Sequence, residues 1–340
     1  VNKTSAVLTK LFLNFTNLGD GIYYFNATAT DLANNKNITE TRNATIDATA
    51  PQLTINSPVN NSWLNTKLIS VNLTVSDAVS GLNHTNITIY NSVGAVVNST
   101  TSTSSGNYVV TLSVAADGVH SIFATAYDNA GNSNVASKNI TIDSNLPLII
   151  LNSPASGTNT SSAQIYNWTA VDGTSTTLNC TLRIGSYVNS YSVTNGTSYS
   201  ANAVIGASGI YYWNVTCIDL AGNSNISETR SITYDLLNPS AVLISPVNNA
   251  YVNSSSQNFT ANLSDNLGLK NATLNIYNSS GLVSQTALNL GGATNVVVGI
   301  VANLADGAYN WFYRVFDWIG NSAVSTNNTL TIDTVWPMVS

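Results

Sequence analysis

Apolar and polar residues alternate along a stretch that occurs four times in the chain. Counted back from the Asp before a turn, positions −6, −4 and −2 are apolar, and position −3 is Thr or Arg. The apolar positions are Phe25/Ala27/Ala29, Ile122/Ala124/Ala126, Trp213/Val215/Cys217 and Trp311/Tyr313/Val315. This period of two is typical of a β-strand with one buried face, so these residues are expected to point inward. No segment combines a 3.6-residue period with caps, so almost no helix is predicted.

Turn residues follow each of these strands. The motif Asp-x-x-Gly-Asn lies at 128–132, 219–223 and 317–321, and Asp-Leu-Ala-Asn-Asn lies at 31–35. Gly or Asn is expected to adopt a positive φ there. A second strand then ends at an Asp, with a Pro four residues later. These pairs are Asp47/Pro51, Asp143/Pro147, Asp235/Pro239 and Asp333/Pro337.

The boundary prolines define a tandem repeat. They lie 96, 92 and 98 residues apart, which is the length of a domain. The spacing predicts three whole units, 51–146, 147–238 and 239–336, with 337–340 as the start of the next linker. Residues 1–50 match only the last half of a unit, whose first half would come from outside this chain or from another chain. Short alternating strands over such a length favour an all-β fold of tandem immunoglobulin-like β-sandwiches, arranged as beads on a string.

Several of these segments resemble a known group of proteins. The sequences IDATAP at 46–51 and DNAGN at 128–132 resemble bacterial and archaeal Ig-like repeats of giant adhesins and cell-surface proteins. The sequence NSPVNNSW at 56–63 is similar to repeats of archaeal surface layers or filaments. The resemblance implies an extracellular, cell-surface location and a stalk, lattice or adhesin, since such folds serve all three.

Composition excludes several functions. Only 8% of residues are charged, and Asn, Ser and Thr account for 132 of the 340 residues. Ten basic residues and a net charge of −6 exclude an electrostatic nucleic-acid binder, so no nucleic-acid partner is expected. The longest apolar run, 296–302, is far shorter than the roughly 20 residues of a membrane span. No direct membrane span is therefore expected in this segment.

All 16 acidic residues occupy repeated positions. A catalytic carboxylate pair would break the repeat, because one protein needs one such site. His84 and His120 have no partners at the spacing of a metal site or a catalytic triad. We therefore expect no catalytic residue and no enzyme activity, and turn or cap carboxylates that bond backbone N–H groups.

Calcium is the one metal that this sequence favours, because it prefers oxygen ligands. An Asp ends the last strand of a unit beside the linker, and another Asp lies in a loop of the next unit. The candidate ligands are Asp47, Asp77, Asp143, Asp172, Asp235 and Asp265. The sequence favours plain capping over a calcium site, since only two carboxylates per junction are evident. Related adhesin repeats stiffen their junctions with calcium, so the resemblance also implies such sites. Otherwise no cofactor is expected.

Cys180 and Cys217 are the only cysteines, and both lie at inward positions of unit 147–238. Two strands thus direct two sulfurs at one core. We expect a Cys180–Cys217 disulfide in this unit, because the other observations indicate an extracellular protein, and two reduced core thiols are the alternative.

The chain contains 23 Asn-x-Ser/Thr sequons, about twice the number expected by chance from the composition. Covalent N-glycans would keep a surface with few charges soluble. The alternative is that Asn in turns and Thr in strands generate sequons without modification. The candidates are Asn26, Asn43, Asn72, Asn86, Asn139, Asn167, Asn214, Asn225, Asn258, Asn271 and Asn327.

The sequence is compatible with three functions. The first is a structural cell-surface protein that assembles with copies of itself into a filament, stalk or surface-layer lattice. The second is an adhesin or carbohydrate-binding module, which needs exposed aromatic residues. An accessory segment of an enzyme is the third. The aromatic candidates are Trp63, Trp168, Trp318 and Trp336.

Overall fold

The fold is built from β-strands alone. A computed structural model describes residues 12–338, and 62% of the chain is strand. No helix occurs in residues 12–338, which agrees with the absence of a helical period in the sequence. It follows that this part of the chain contains no helix with the length and apolarity of a membrane span. Residues 1–11 and 339–340, which include part of the predicted half unit and of the predicted linker, lie outside the described residues.

Thirty strands occur in four successive groups along residues 12–338. The first group is β1 (Gly21–Phe25), β2 (Thr28–Thr30), β3 (Lys36–Ile38) and β4 (Arg42–Ile46). The second is β5 (Gln52–Ser57), β6 (Ser62–Leu64), β7 (Leu68–Ser76), β8 (Leu82–Asn91), β9 (Val96–Ser102), β10 (Gly106–Ser113), β11 (Gly118–Asp128) and β12 (Ser133–Ile142). The third is β13 (Leu148–Ser153), β14 (Thr158–Thr160), β15 (Gln164–Val171), β16 (Thr177–Ile184), β17 (Tyr187–Thr194), β18 (Ser198–Ala203), β19 (Gly209–Ile218), β20 (Ser224–Ile226) and β21 (Arg230–Tyr234). The fourth is β22 (Ser240–Ser245), β23 (Ala250–Val252), β24 (Ser256–Ser264), β25 (Leu269–Asn278), β26 (Gly281–Asn289), β27 (Asn295–Asn303), β28 (Gly307–Asp317), β29 (Ser322–Val324) and β30 (Asn328–Ile332).

The last three groups each form two sheets of similar topology. The smaller sheets have the strand orders β10-β7-β5, β13-β15-β18 and β22-β24-β27. The larger sheets are β6-β12-β11-β8-β9, β14-β21-β19-β16-β17 and β23-β30-β28-β25-β26, with β20 on β19 and β29 on β28. Neighbours are antiparallel except β6/β12, β14/β21 and β23/β30, which are parallel. The chain therefore folds into tandem Ig-like β-sandwiches, as predicted.

Each sandwich has its own hydrophobic core. The predicted inward positions at −6, −4 and −2 of β11, β19 and β28 are all 0% exposed, which confirms the period-two pattern. Trp213 packs edge-on against Tyr166 at 4.9 Å between ring centroids, and Trp311 packs against Phe259 at 5.1 Å. Large aromatic residues thus fill the cores of the last two sandwiches, and Ile and Val fill that of the first.

Residues 12–50 differ from the three sandwiches. Here β1 pairs with β4 and β2 pairs with β3, in two separate two-stranded sheets. Phe25 was expected to point into a core, but it is 50% exposed. The expectation is wrong because these described residues supply only one layer, and no second sheet covers Phe25.

By contact density the chain divides into two compact units. These units differ from the sequence repeats. The first unit contains the described residues up to Leu146 with Gly173–Ser175 and Leu220–Asn223. The second unit contains Pro147–Asp172, Thr176–Asp219 and the described residues from Ser224 onward.

Candidate functional site

The Asp-x-x-Gly-Asn motif at 317–321 forms a closed turn around one carboxylate. Asp317 Oδ1 accepts the N–H groups of Ile319, Gly320 and Asn321 at 2.8, 2.6 and 2.9 Å. Gly320 has a φ of 103°, as the turn chemistry predicts. Asn321 Nδ2 donates to Asp317 Oδ2 at 2.7 Å and to the backbone carbonyl of Asp235 at 3.1 Å. The last residue of the motif therefore connects its own turn to the end of β21.

The same turn brings three carboxylates together within the second unit. Asp235 follows β21, Asp265 follows β24 and Asp317 ends β28. One oxygen from each lies within 4.8 Å of the others. The three residues are only 1%, 8% and 1% exposed. The structure thus concentrates three acidic groups in a space that excludes most water, where opposite charge is needed to stabilise them.

Asp265 has one oxygen whose hydrogen-bonding capacity is unused. Its Oδ2 accepts the N–H groups of Leu267 and Gly268 at 2.8 and 2.7 Å. Its Oδ1 is buried and has no hydrogen-bond partner among the described residues. A buried carboxylate oxygen without a donor is costly, and it is a suitable ligand for a hard cation such as Ca²⁺.

The electrostatics of Asp235 agree with this geometry. Burial raises the pKa of Asp235 above its usual value of 3.8, and the charges of Asp265 and Asp317 raise this pKa further. Hydrogen bonds from Leu237 and Asn266 oppose the rise. Without a cation, Asp235 therefore retains a proton more readily than an exposed aspartate does.

A second set of three carboxylates lies in the first unit. Asp47, Asp77 and Asp128 also place one oxygen each within 4.8 Å of one another, but Asp47 and Asp77 are only half-buried. Hydrogen bonding by Ser80, whose N–H lies 2.9 Å from Asp47 Oδ2, lowers the pKa of Asp47. Asn132 Nδ2 donates to the Asp47 carbonyl at 3.1 Å, as Asn321 does to Asp235. This set is more solvated than the set in the second unit, so its carboxylates repel one another less.

The remaining predicted ligands are Asp143 in the first unit and Asp172 in the second. Both are buried. Ser175 Oγ donates to Asp143 Oδ2 at 3.2 Å, and the N–H of Asp172 donates to Asn195 Oδ1 at 2.8 Å. Ser175 thus positions the carboxylate of Asp143, and Asn195 positions the backbone of Asp172.

Sequence reasoning missed the third carboxylate of each set. It grouped Asp47 with Asp77 and Asp235 with Asp265, and the structure brings these pairs together. It assigned Asp128 and Asp317 to turn formation alone. The available signal was the constant presence of Asp, rather than Asn or Ser, at the first position of every turn motif.

Cys180 and Cys217 form a disulfide. They face each other directly across β16 and β19, and both are 0% exposed. The bond therefore joins neighbouring strands of one sheet, on the side that faces the core.

The candidate sequons are at least partly accessible. Asn26, Asn43, Asn139, Asn258 and Asn327 are exposed. The half-buried ones are Asn72, Asn86, Asn167, Asn214, Asn225 and Asn271. Three of these, Asn167, Asn214 and Asn225, already use the amide nitrogen that a sugar would occupy, and Asn214 Nδ2 donates to Thr229 Oγ1 at 3.4 Å. Asn225 Nδ2 donates to the Pro147 carbonyl at 2.8 Å, and Asn167 Nδ2 donates to Ser200 Oγ at 2.8 Å.

The aromatic candidates for a binding surface separate into two groups. Trp168 is 0% exposed and packs against Tyr191 and Tyr199, so its assignment to a binding surface is wrong. Trp168 lies two residues after Tyr166 on β15, so both side chains point to the same, buried face, and Trp168 belongs to the core. Trp63 is half-buried. Trp318 and Trp336 are 53% and 83% exposed and remain available to a partner.

The two histidines have ordinary packing roles. His84 stacks on Tyr127 at 4.8 Å between ring centroids. His120 is buried, and its Nδ1 lies 3.0 Å from the Gly118 carbonyl.

Comparisons with known proteins give structural neighbours only. No protein-family model matches the sequence, and no curated protein matches it. The chain is similar to a tetra-tandem repeat from the extending region of a large adhesion protein, at 21% identity over 94% of this chain and 84% of that one, with a TM-score of 0.38. It is similar to a structure from a 1.5-MDa bacterial ice-binding adhesin, at 13% identity over 84% and 99% of the chains, with a TM-score of 0.34. A set of titin domains matches at 12% identity over 84% and 100% of the chains, with a TM-score of 0.32.

These structural neighbours are tandem adhesin repeats and Ig-like domains. Their TM-scores are low, so the assignment of the Ig-like fold rests on the strand order of this chain.

Proposed function

We propose that the chain is a structural extracellular protein whose glycosylated Ig-like repeats build a cell-surface filament, stalk or surface-layer lattice. The observation that carries this proposal is the repetition of one junction. In both units the Asn of a turn motif donates to the carbonyl of the Asp that ends an earlier strand, at 3.1 Å in each case. A repeated connector is expected of a load-bearing array, in which each domain must hold the next. The chain is not an enzyme in this proposal, and its main partners are copies of itself.

Calcium at the carboxylate sets is the second part of the proposal. Asp235, Asp265 and Asp317 would hold one ion, and the orphan Oδ1 of Asp265 supports this assignment. Asp47, Asp77 and Asp128 would hold another. A bound Ca²⁺ would supply the positive charge that each set lacks and would restrain the loops that carry the ligands.

Calorimetry with calcium and with a chelator tests this part. Calcium is expected to raise the melting temperature of the wild-type protein. Asp265→Asn should remove most of that gain for the second unit. Asp306→Asn is the matched control, because Asp306 caps Thr334 and loses the same charge outside the set. An equal calcium response in both variants, or no response in the wild type, would exclude the assignment.

N-glycosylation of several exposed sequons is the third part. The surface is dominated by amides and hydroxyls, and sugars would add hydration where charge is scarce. Intact-mass measurement before and after deglycosylation tests it. An unchanged mass would exclude glycosylation without affecting the calcium sites.

Imaging of the native particle tests the proposed assembly. Regular filaments or a lattice with a repeat that matches the sandwiches are expected on the cell surface. Isolated flexible rods that bind a host or matrix glycan would instead support the adhesin.

One observation favours that second candidate, a carbohydrate-binding adhesin. Trp318 is 53% exposed, Lys270 lies 5.8 Å from its ring centroid, and both line a groove of about 390 Å³. An exposed ring beside a cation is a platform for a polar ligand. Loss of glycan binding in Trp318→Ala, with binding kept in Trp336→Ala, would support this candidate.

A further inference from the structure

A wide groove lies on the outer face of the sandwich at residues 51–146. It has a volume of about 710 Å³ and crosses β8, β11 and β12. The residues that line it include Thr88, Tyr90, Ser121, Phe123 and Asn139. Their neighbours in sequence, including Ile89, Ile122 and Ile140, point to the core on the opposite face. The groove is therefore a surface feature of one rigid sheet, with a volume in the range of small-ligand sites.

Three residues form a straight row across this groove. Tyr90 on β8 lies opposite Ser121 on β11, and Ser121 lies opposite Asn139 on β12. Adjacent strands are about 4.8 Å apart, so the phenol ring and the asparagine stand about 10 Å from each other on one face. The serine between them is small, which leaves the space that forms the groove.

The rings beside this row expose apolar surface. Phe123 is 40% exposed, and its centroid lies 5.5 Å from that of Tyr90 in an edge-to-face arrangement at 87°. On a surface dominated by amides and hydroxyls, two adjacent aromatic rings form a local apolar patch. A ligand suited to this patch has one apolar face and a polar rim.

Asn139 carries a modification sequence at the end of the row. It begins the sequon Asn139-Ile140-Thr141 and is exposed. Ser121 Oγ donates to its Oδ1 at 2.8 Å, which fixes the amide plane. Its Nδ2 makes no hydrogen bond to any described residue, in contrast to Nδ2 of Asn225.

We propose that a glycan attached to Asn139 folds back into this groove and packs its first sugars on Tyr90 and Phe123. The inference rests on the proposed glycosylation and identifies one site and the surface that receives the sugar. The C–H groups on one face of a pyranose ring meet the electron-rich faces of aromatic rings. The hydroxyls of Thr88 and Ser121 face the polar rim of the sugar.

The covalent step requires a lipid-phosphate-activated oligosaccharide and a cellular transferase. Nδ2 of Asn139 forms a bond to the anomeric carbon of the sugar and loses one proton to a base of the transferase. The bond from that carbon to the phosphate oxygen breaks, and the lipid phosphate leaves with the bonding electrons.

The last sandwich contains a related row in which Thr329 stands at the position of Asn139. There Tyr277 lies opposite Asn310, and Asn310 lies opposite Thr329. Tyr277 and Phe312 stack on each other at 8° and 5.9 Å. In the sandwich at 51–146, whose row ends in Asn139, the two rings meet edge to face. In the last sandwich, whose row ends in Thr329, the two rings are stacked.

The experiment combines site-resolved glycopeptide mass spectrometry of the native protein with melting of variants. Asn139 is expected to be occupied. Phe123→Ala should then lower the melting temperature of its sandwich by about 4–8 °C more in the glycosylated protein than in the enzymatically deglycosylated one. Val135→Ala is the matched control, because Val135 is an exposed apolar residue on the same sheet and does not line the groove. Its effect should be equal in both forms.

Sequon variants separate the sugar from the asparagine. Asn139→Gln and Thr141→Ala should abolish the extra effect of Phe123→Ala, and Thr141→Ser should retain it. An unoccupied Asn139 in a protein with glycans at Asn43 or Asn258 overturns this inference and leaves the proposed glycosylation intact. Equal effects of Phe123→Ala in both forms overturn it as well. A protein with no glycan at any sequon contradicts the proposed glycosylation itself.

Discussion

Asn321 Nδ2 lies 2.7 Å from Asp317 Oδ2, and the same nitrogen lies 3.1 Å from the Asp235 carbonyl. Asn132 makes the equivalent bonds in the first unit, at 2.7 and 3.1 Å. One amide group thus closes a turn and holds the end of an earlier strand. A Ser at this position would supply at most one of the two bonds and an ionised Asp neither, since the bonds need two N–H donors on one side chain.

We expect Asn321→Ala to destabilise the second unit by about 1–3 kcal/mol, because the acceptors on the buried residues Asp317 and Asp235 lose their donor. Asn35→Ala is the control. Asn35 makes the same bond to Asp31 Oδ2 at 2.7 Å in an exposed turn, so its loss should cost less. Calorimetry resolves the transitions, and equal shifts for both variants would argue against the connector role.

The period-two pattern was sufficient to predict the sandwiches and their inward faces. Ile122, Trp213 and Trp311 are buried as expected, because alternation determines which side of a strand meets a core. Phe25 carries the same pattern but is half exposed. Burial depends on a second sheet that packs over the strand as well as on alternation, and among the described residues no such sheet covers Phe25.

The carboxylate sets could be predicted only in part. Asp235 and Asp265 lie 30 residues apart and flank a linker, so their proximity follows from the repeat. Asp317 lies a further 52 residues along the chain, and its approach depends on how the ends of β21, β24 and β28, strands of three different sheets, meet within the second unit. Spacing alone does not determine which loops meet at an end.

Tyr309 supports a loop through its hydroxyl. Its Oη donates to the Ala305 carbonyl at 2.9 Å, and Tyr211 and Tyr23 make the same bond four residues back, at 3.1 and 2.9 Å. Tyr309→Phe should cost about 1 kcal/mol, because the ring remains buried and one hydrogen bond is lost. Tyr251→Phe, at an 81% exposed residue of the same sandwich, should have no effect on its melting temperature.

The disulfide is expected to stabilise the sandwich at 147–238. It closes a loop of 37 residues, for which the chain-entropy model gives about 4 kcal/mol. The double variant Cys180→Ala/Cys217→Ala should therefore melt at a lower temperature, and the transition of the sandwich at 239–336 should remain unchanged.

A reducing agent provides an independent measurement for the same bond. Both sulfurs are 0% exposed, so the native protein should resist reduction until it unfolds. Alkylation followed by mass spectrometry detects free thiols. Rapid labelling of the folded protein would contradict the buried position of the bond.

Asp235 should make the stability of the calcium-free protein fall as pH rises. Its pKa is raised by burial and by Asp265 and Asp317, so the folded state holds a proton that the unfolded state releases near 3.8. The folded state therefore binds more protons between 3.8 and the raised pKa, and the free energy of unfolding decreases with pH across that window. Asp235→Asn removes this contribution. With a chelator present, the variant should gain stability over the wild type as pH increases, measured by calorimetry at several pH values. Calcium should reverse the order, because it binds the ionised carboxylate and displaces the proton. A difference between variant and wild type that does not change with pH would show that Asp235 is already ionised throughout.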